Sequence, residues 1–279
     1  MKEKFQNYVE DFLEYLLDVR GYSELSVKTY EIALRQMSEV SHFYEEDGMS
    51  ILDITPFRFK IIKNSKKTIV KKLSAVRSFA KYLEEQCRFP LKLIADESIK
   101  VPQSLPKPVE EQYIDEVLAK ADMEEKLLIT MLYGLGLRIS ELSGLKLEDI
   151  KGDWIQVHGK GNKVRELPLI QALKRLIVSY RDRYTPKKYL FEKGNAPMNA
   201  AQLRYRLTKL FKKEGLKVTP HQLRHSFATH LLNHGARIAD VSELLGHETM
   251  ATTQIYTKLG SVKKMQEYMK AHPLAKKDS

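Results

Sequence analysis

The chain has 279 residues, 43% of them hydrophobic and 30% charged, enough for one large domain or two moderate ones and unlike a disordered chain. Its formal net charge is +11, from 47 basic and 36 acidic residues, which suits a polyanionic partner and favours nucleic acid. No apolar run reaches the length of a membrane span, the start MKEKFQNYVEDF has no signal-peptide core, and the single Cys87 permits no intramolecular disulfide, so a cytoplasmic protein is expected.

The first hundred residues read as helices. Phe5, Val9, Phe12 and Leu16 recur at helical spacing, and Ser26, Tyr30, Leu34 and Met37 do so again after Gly21, behind a serine cap. Residues 50–63 are ambiguous, with Pro56 opening a short helix. From Ile54 to Leu83 there are nine Lys or Arg and no Asp or Glu. The helix expected there buries Ile69, Leu73, Val76, Ala80 and Leu83 and distributes Lys66, Lys67, Lys71, Lys72, Arg77 and Lys81 around its other faces. Solvated helices usually mix signs; an unopposed positive face suits phosphates or a groove of DNA.

Val101–Pro108 (VPQSLPKP) holds three prolines in eight residues and reads as a stiff connector. The boundary is placed there: a helical domain 1–100, a linker 101–108 and a second domain 109–279. The second opens with helices in VEEQYIDEVLAKA and EKLLITMLYGLG, followed by LRISELSGLKLEDI, where Arg138 and Glu141 are three apart. Trp154–Val157 and Val164–Leu169 flank GKGNK as a β-hairpin. Gly159-Lys160-Gly161 lacks the spacing of an ATP-binding phosphate loop, but a lysine at a hairpin tip can reach a phosphate as a point charge or proton donor. Helices follow over Gln171–Tyr184 and over Asn199–Glu214, the latter carrying Arg204 and Arg206.

Thr219–Thr257 contains five of the eight histidines, with Arg224, Arg237 and Tyr256. Thr219-Pro220 starts a helix that places His221, Arg224 and His225 on one face. The HxxxH spacings His221/His225 and His230/His234 invite a zinc reading, but neither encloses a glutamate and Arg224 would repel a dication. IADVSELLGHETMATTQIYTK has the cadence of a helix-turn-helix, which leaves Arg138 and Lys160 unexplained. A third reading accounts for them. A phosphodiester attacked by a phenolate accumulates negative charge that two guanidiniums can clamp without a metal, while a base and an acid serve the nucleophile and the leaving oxygen. Arg138, Lys160, His221, Arg224, His247 and Tyr256 supply that set.

GLGLRISEL, GKGNKVRELPL, HQLRHSFATH and LLGHETMATTQIYT resemble, in order and spacing, the signature boxes of the tyrosine recombinases, most closely the Xer-type members. RGYSELSVKTY and LSAVRSFAKYL are similar to that family's core-binding domain, and VKKMQEYMKAHP to the C-terminal helix that Xer-type proteins donate to a neighbouring protomer. The resemblance implies a mainly α fold with a small antiparallel β-sheet, arranged as a two-domain DNA clamp. It implies that Arg138 and Arg224 clamp the scissile phosphate, Lys160 protonates the leaving 5′ oxygen, His221 acts as acid or base, His247 hydrogen-bonds the phosphate, Tyr256 is the nucleophile and Glu141 supports the clamp. His225, His230 and His234 are read as structural. No metal or ATP is implied. The implied partners are double-stranded DNA with an inverted-repeat site, three further protomers in a homo-tetramer or a heterotetramer with a paralogue, and a DNA translocase. The implied activity is strand exchange through a 3′-phosphotyrosyl link and a Holliday junction, as in chromosome dimer resolution. Lys258, where Xer-type proteins more often have histidine, and Arg237, in place of an acidic residue, keep a mobile-element integrase or excisionase as the alternative. A helix-turn-helix protein without catalysis stands behind both.

Overall fold

The computed structural model describes residues 2–101, 107–159, 163–246, 268 and 270–274. It divides into two compact units, Met1–Ser104 and Leu105–Ser279, and is mainly helical with small sheets.

In the first unit, helix α1 (Lys2–Glu14) runs on into a π-helical turn at Tyr15–Val19. Helix α2 (Glu24–Val40) begins where the Ser23 hydroxyl accepts the Ser26 N–H. Helix α4 (Lys66–Glu85) begins in the same way at Ser65. Its stripe Ile69, Leu73, Val76, Ala80 and Leu83 is buried, as its periodicity requires. The core joins Ile69, Leu73, Val76 and Leu83 of that stripe to Phe5, Val9 and Phe12 of α1, to Leu16 of the π-helical turn and to Leu34 and Met37 of α2.

This unit is not wholly helical, which corrects the sequence expectation. Strand β1 (His42–Glu46) pairs antiparallel with β2 (Met49–Asp53), and β2 pairs in parallel with β3 (Leu91–Ile94). The hairpin turns at Asp47-Gly48, both at positive φ (49° and 75°), the geometry that suits the right-handed twist of two short strands. Asp-Gly between two short runs with apolar residues was the legible signal. Behind β2, Pro56 opens the short helix α3 (Thr55–Ile61).

In the second unit, α5 (Glu111–Lys120) leads to α6 (Met123–Gly134), which starts in a reciprocal Asp122/Glu125 capping box. Beyond its charged first turn, helix α6 is buried all round, from Leu127 to Gly134. It is the post around which the unit packs. The short α7 (Ile139–Ser143) precedes an antiparallel sheet of β4 (Ile150–Lys151), β5 (Trp154–His158) and β6 (Val164–Pro168). Helix α8 (Gln171–Tyr184), a small hairpin of β7 (Glu192–Lys193) and β8 (Ala196–Pro197), and α9 (Ala200–Lys213) follow. Helix α10 (Pro220–Asn233), capped by Thr219, and α11 (Ile238–Leu245) complete the order.

The described part of the C-terminal segment lies on its own unit. Tyr268 Oη and His272 Nε2 both donate to the Gly134 carbonyl, the latter at 2.8 Å. They satisfy an orphan acceptor at the end of α6, and Tyr268, Ala271, His272 and Leu274 are buried there.

Candidate active site

The site is assembled around helix ends, where backbone groups need partners. Arg138 stands at the N-cap of α7. Glu141, three residues on, returns to accept the Arg138 backbone N–H at 2.8 Å and Arg138 Nη1 at 2.8 Å. The pair therefore does more than sit on the surface. Glu141 keeps only 3% of its side chain exposed, whereas Arg138 keeps 43%, with donors that have no partner among the described residues.

Arg224, one turn into α10, is buried. Its Nη1 donates to the Gly136 carbonyl and its Nη2 to the Leu245 carbonyl, both at 2.6 Å. The first acceptor lies two residues before Arg138; the second belongs to the last turn of α11, where a cation complements the helix dipole. Gly136 is required for the first contact. Its φ is +59°, and a Cβ there would stand 2.4 Å from Phe227 Cδ1 and 3.0 Å from Leu245 Cδ2. Burial, then repulsion from Arg138 and Arg165, lowers the Arg224 pKa to about 10, so the group remains a cation at neutral pH.

Sequence reasoning missed Arg165. On β6 it lies opposite Val157 and two residues before the buried Leu167, so strand alternation turns it inward. Its Nη1 and Nη2 donate to Glu141 Oε1 and Oε2 at 2.9 and 2.8 Å, and its Nε donates to the Leu244 carbonyl at 2.9 Å. An inward arginine on an otherwise apolar strand face was the signal, because such a cation needs a carboxylate nearby. Burial pushes the Glu141 carboxyl up, but the Arg165 and Arg138 hydrogen bonds outweigh it and hold the pKa below its ordinary value.

Two guanidiniums, Arg138 and Arg165, thus hold one carboxylate, and Arg224 is close enough to feel the charges of all three, which leaves an excess of positive charge suited to an anion. His221 occupies the first turn of α10 and is exposed, three residues before Arg224. Lys160, His247 and Tyr256 lie outside the described residues, although Gly159 and Gly246, directly preceding two of them, are described. His230 is a core residue: its Nδ1 lies 2.8 Å from Tyr133 Oη, and burial lowers its pKa. His234 Nδ1 caps the His230 carbonyl at 2.8 Å, and His225 is half-buried. Among the described residues no group of three or more His, Cys, Asp or Glu is placed to hold a metal ion.

The basic residues expected to face DNA are less uniform than the sequence suggested. Arg77 donates to the Asp96 carboxylate and carbonyl, Lys72 to Gln36 at 2.6 Å, and Lys81 pairs with Glu85. The face of α4 is therefore not unopposed. Its acidic partners come from positions beyond Leu83, outside the all-basic stretch. Lys66, Lys67 and Lys71 are exposed and make no hydrogen bond or ion pair among the described residues. On α9, Arg206 pairs with Glu124 while Arg204 is exposed beside Tyr205.

Comparison with known proteins gives a consistent result. Residues 104–261 match the Phage integrase family, and residues 9–86 match its N-terminal SAM-like domain. The chain is 32% identical over 302 residues to tyrosine recombinase XerC of Bacillus pumilus, covering 98% of this chain and 99% of the relative. It is 36% identical over 277 residues to tyrosine recombinase XerA of Pyrococcus horikoshii, covering 93% of each. Its fold is similar to a lambda integrase tetramer bound to a Holliday junction (TM-score 0.69, 15% identity, 88% of this chain and 77% of that one). It is also similar to XerH recombinase in a post-cleavage complex with its palindromic difH substrate (TM-score 0.64, 21% identity, 88% and 80%). No helix of the described residues is long and apolar enough to cross a membrane.

Proposed function

Since this chain belongs to the tyrosine recombinase family and is a DNA strand-cleaving and rejoining enzyme, we propose that it uses Arg138, Lys160, His221, Arg224, His247 and Tyr256 for one transesterification run forwards and back. The Tyr256 phenolic oxygen bonds to phosphorus as the bond to the 5′ oxygen breaks. His221 takes the phenolic proton and Lys160 gives one to the departing oxygen. Arg138 and Arg224 hold the non-bridging oxygens, His247 adds a hydrogen bond, and Glu141 keeps Arg138 in place. A 5′ hydroxyl from the partner strand reverses the step. One phosphodiester replaces another throughout, so no nucleotide is consumed.

The observation that carries this reading is the pair of arginines fixed before DNA arrives: Arg224 on two carbonyls, and Arg138 on Glu141 with further donors unpartnered among the described residues. Preorganised donors need no rearrangement as charge develops. We further propose the two-domain clamp of residues 1–100 and 109–279 on double-stranded DNA with an inverted-repeat site. Four protomers act there through a Holliday junction, as a homo-tetramer or with a paralogue, and the C-terminal segment, docked on its own unit in the free chain, leaves it and passes to a neighbour in that assembly. The physiological reaction on this reading is Xer-like chromosome dimer resolution in the cytoplasm, with a DNA translocase as a partner. Lys258 in place of a more usual histidine favours the second reading, a mobile-element integrase. Selection of bound sites from random DNA separates them, since a recovered site near the replication terminus supports the first and one at an element's ends the second.

Tyr256→Phe tests the chemistry. On a nicked suicide substrate it should bind DNA but form no covalent adduct; an adduct persisting in the variant would overturn the nucleophile assignment.

A further inference from the structure

Arg165 joins three segments that the proposed chemistry needs in register. From β6 it grips both Glu141 oxygens on α7 and the Leu244 carbonyl at the end of α11. Two glycines lie beside it. A Cβ on Gly246 would lie 3.2 Å from Arg165 Cδ and 3.4 Å from its Nη1. A Cβ on Gly159 would lie 3.9 Å from the same Nη1 and 4.0 Å from Glu141 Oε1. Gly159 also donates its N–H to the Lys163 carbonyl at 2.7 Å, closing the base of the hairpin. Gly159 directly precedes Lys160, and Gly246 directly precedes His247.

We propose that Arg165 is a positioning residue: its planar fork on Glu141 is the platform on which Gly159 and Gly246 rest, and it thereby aims Lys160 and His247 at the phosphate that Arg138 holds. The proposal rests on the roles given above to Lys160 and His247. Arg165 itself is 14% exposed and its donors are taken, so it does not touch the phosphate. Neutralising buried Glu141 would need only a cation. Joining three segments needs a bidentate fork with a third donor, which arginine has and lysine lacks.

The test is Arg165→Lys, which keeps the charge beside Glu141. Wild type, R165K and K160A are compared in single-turnover cleavage of two nicked substrates, one with the ordinary 5′ oxygen and one with a 5′-bridging sulfur. A thiolate leaves without a proton, so the sulfur substrate bypasses the acid. R165K should bind DNA like the wild type and melt somewhat lower, having lost hydrogen bonds that lysine cannot make, yet cleave the oxygen substrate about 100-fold more slowly well below its melting temperature, the cost of a small misplacement. It should recover on sulfur the part of that loss that passes through Lys160, as K160A does, and keep the part that passes through His247. Undiminished cleavage by R165K overturns the proposal, and so does equal loss on both substrates while K160A recovers. Failure of K160A to recover instead refutes the role of Lys160, and the proposal falls with it. If R165K does not fold, R165Q, which leaves Glu141 in place to hold Arg138, is put to the same comparison with the same criteria.

Discussion

The arginines around Glu141 and the lysines at the start of α4 carry the same formal charge under opposite constraints. Arg165 and Arg224 are tied to a carboxylate or to backbone carbonyls at 2.6–2.9 Å. Lys66, Lys67 and Lys71 stand in solvent without partners among the described residues. A fixed cation has a defined position from which to meet developing charge, and it forfeits adaptability. A solvated cation can follow a phosphate backbone but specifies nothing about an atom's position. Within one basic chain, confinement therefore separates the charges suited to chemistry from those suited to adhesion.

The largest expected effect strikes the confined set. Gly136→Ala would drive a Cβ into Phe227 at a positive φ and displace the carbonyl that holds Arg224. Thermal unfolding should show a loss of about 3 kcal/mol or more. An unchanged melting temperature would mean that this region relaxes freely, and the contrast with α4 would lose its basis.

A smaller effect comes from pH. The Gly134 carbonyl accepts His272 Nε2–H, and His272 Nδ1 accepts the Leu274 N–H at 3.1 Å, so the docked ring is the neutral tautomer. Burial lowers its pKa to about 4. The docked form thus binds fewer protons than the free segment. Its stability is complete above the ordinary histidine value and falls as pH drops toward about 4. At pH 5 docking should weaken by roughly 2 kcal/mol relative to pH 7. The protection factor of the His272 amide, whose N–H donates to Tyr268 O, should fall accordingly once the slower intrinsic exchange at low pH is divided out, and a protection factor that is flat with pH would contradict the neutral assignment.

The smallest effect sharpens the solvated side. Replacing Lys66, Lys67 and Lys71 together by alanine should flatten the salt dependence of DNA binding by up to about 3 in log–log slope, with melting unaltered. Arg77→Ala, which removes the contacts to Asp96, should lower stability and leave the slope nearly intact. If Arg77→Ala flattens the slope as much as the lysines do, pairing is no guide to function on this helix.

These contrasts also explain what could be read from the sequence. The helices of the second unit were legible because periodicity and caps agree, as at Thr219-Pro220 and Asn199. Arg138 and Arg224 were legible through the spacing of their motifs. Arg165 was not, because its partners, Glu141 and the Leu244 carbonyl, lie 24 and 79 positions away in the chain and only the hairpin register turns it toward them. The third strand of the first unit's sheet was hidden for a related reason. Strand β3 joins β2 across helices α3 and α4, a pairing that no local pattern announces. Likewise, Asp96 reaches Arg77 from beyond the helix whose charge seemed unopposed.

Arg138 is where the two kinds of cation meet, since it is held by Glu141 yet still offers donors to a phosphate. The direct test of the account is single-turnover cleavage by Arg138→Ala with protein in excess over a nicked DNA site, alongside its binding curve. The prediction is near-normal binding and cleavage slower by at least about 10³-fold even when every site is occupied. A cleavage defect that disappears at saturation would show Arg138 to be one more adhesive charge and would contradict the account.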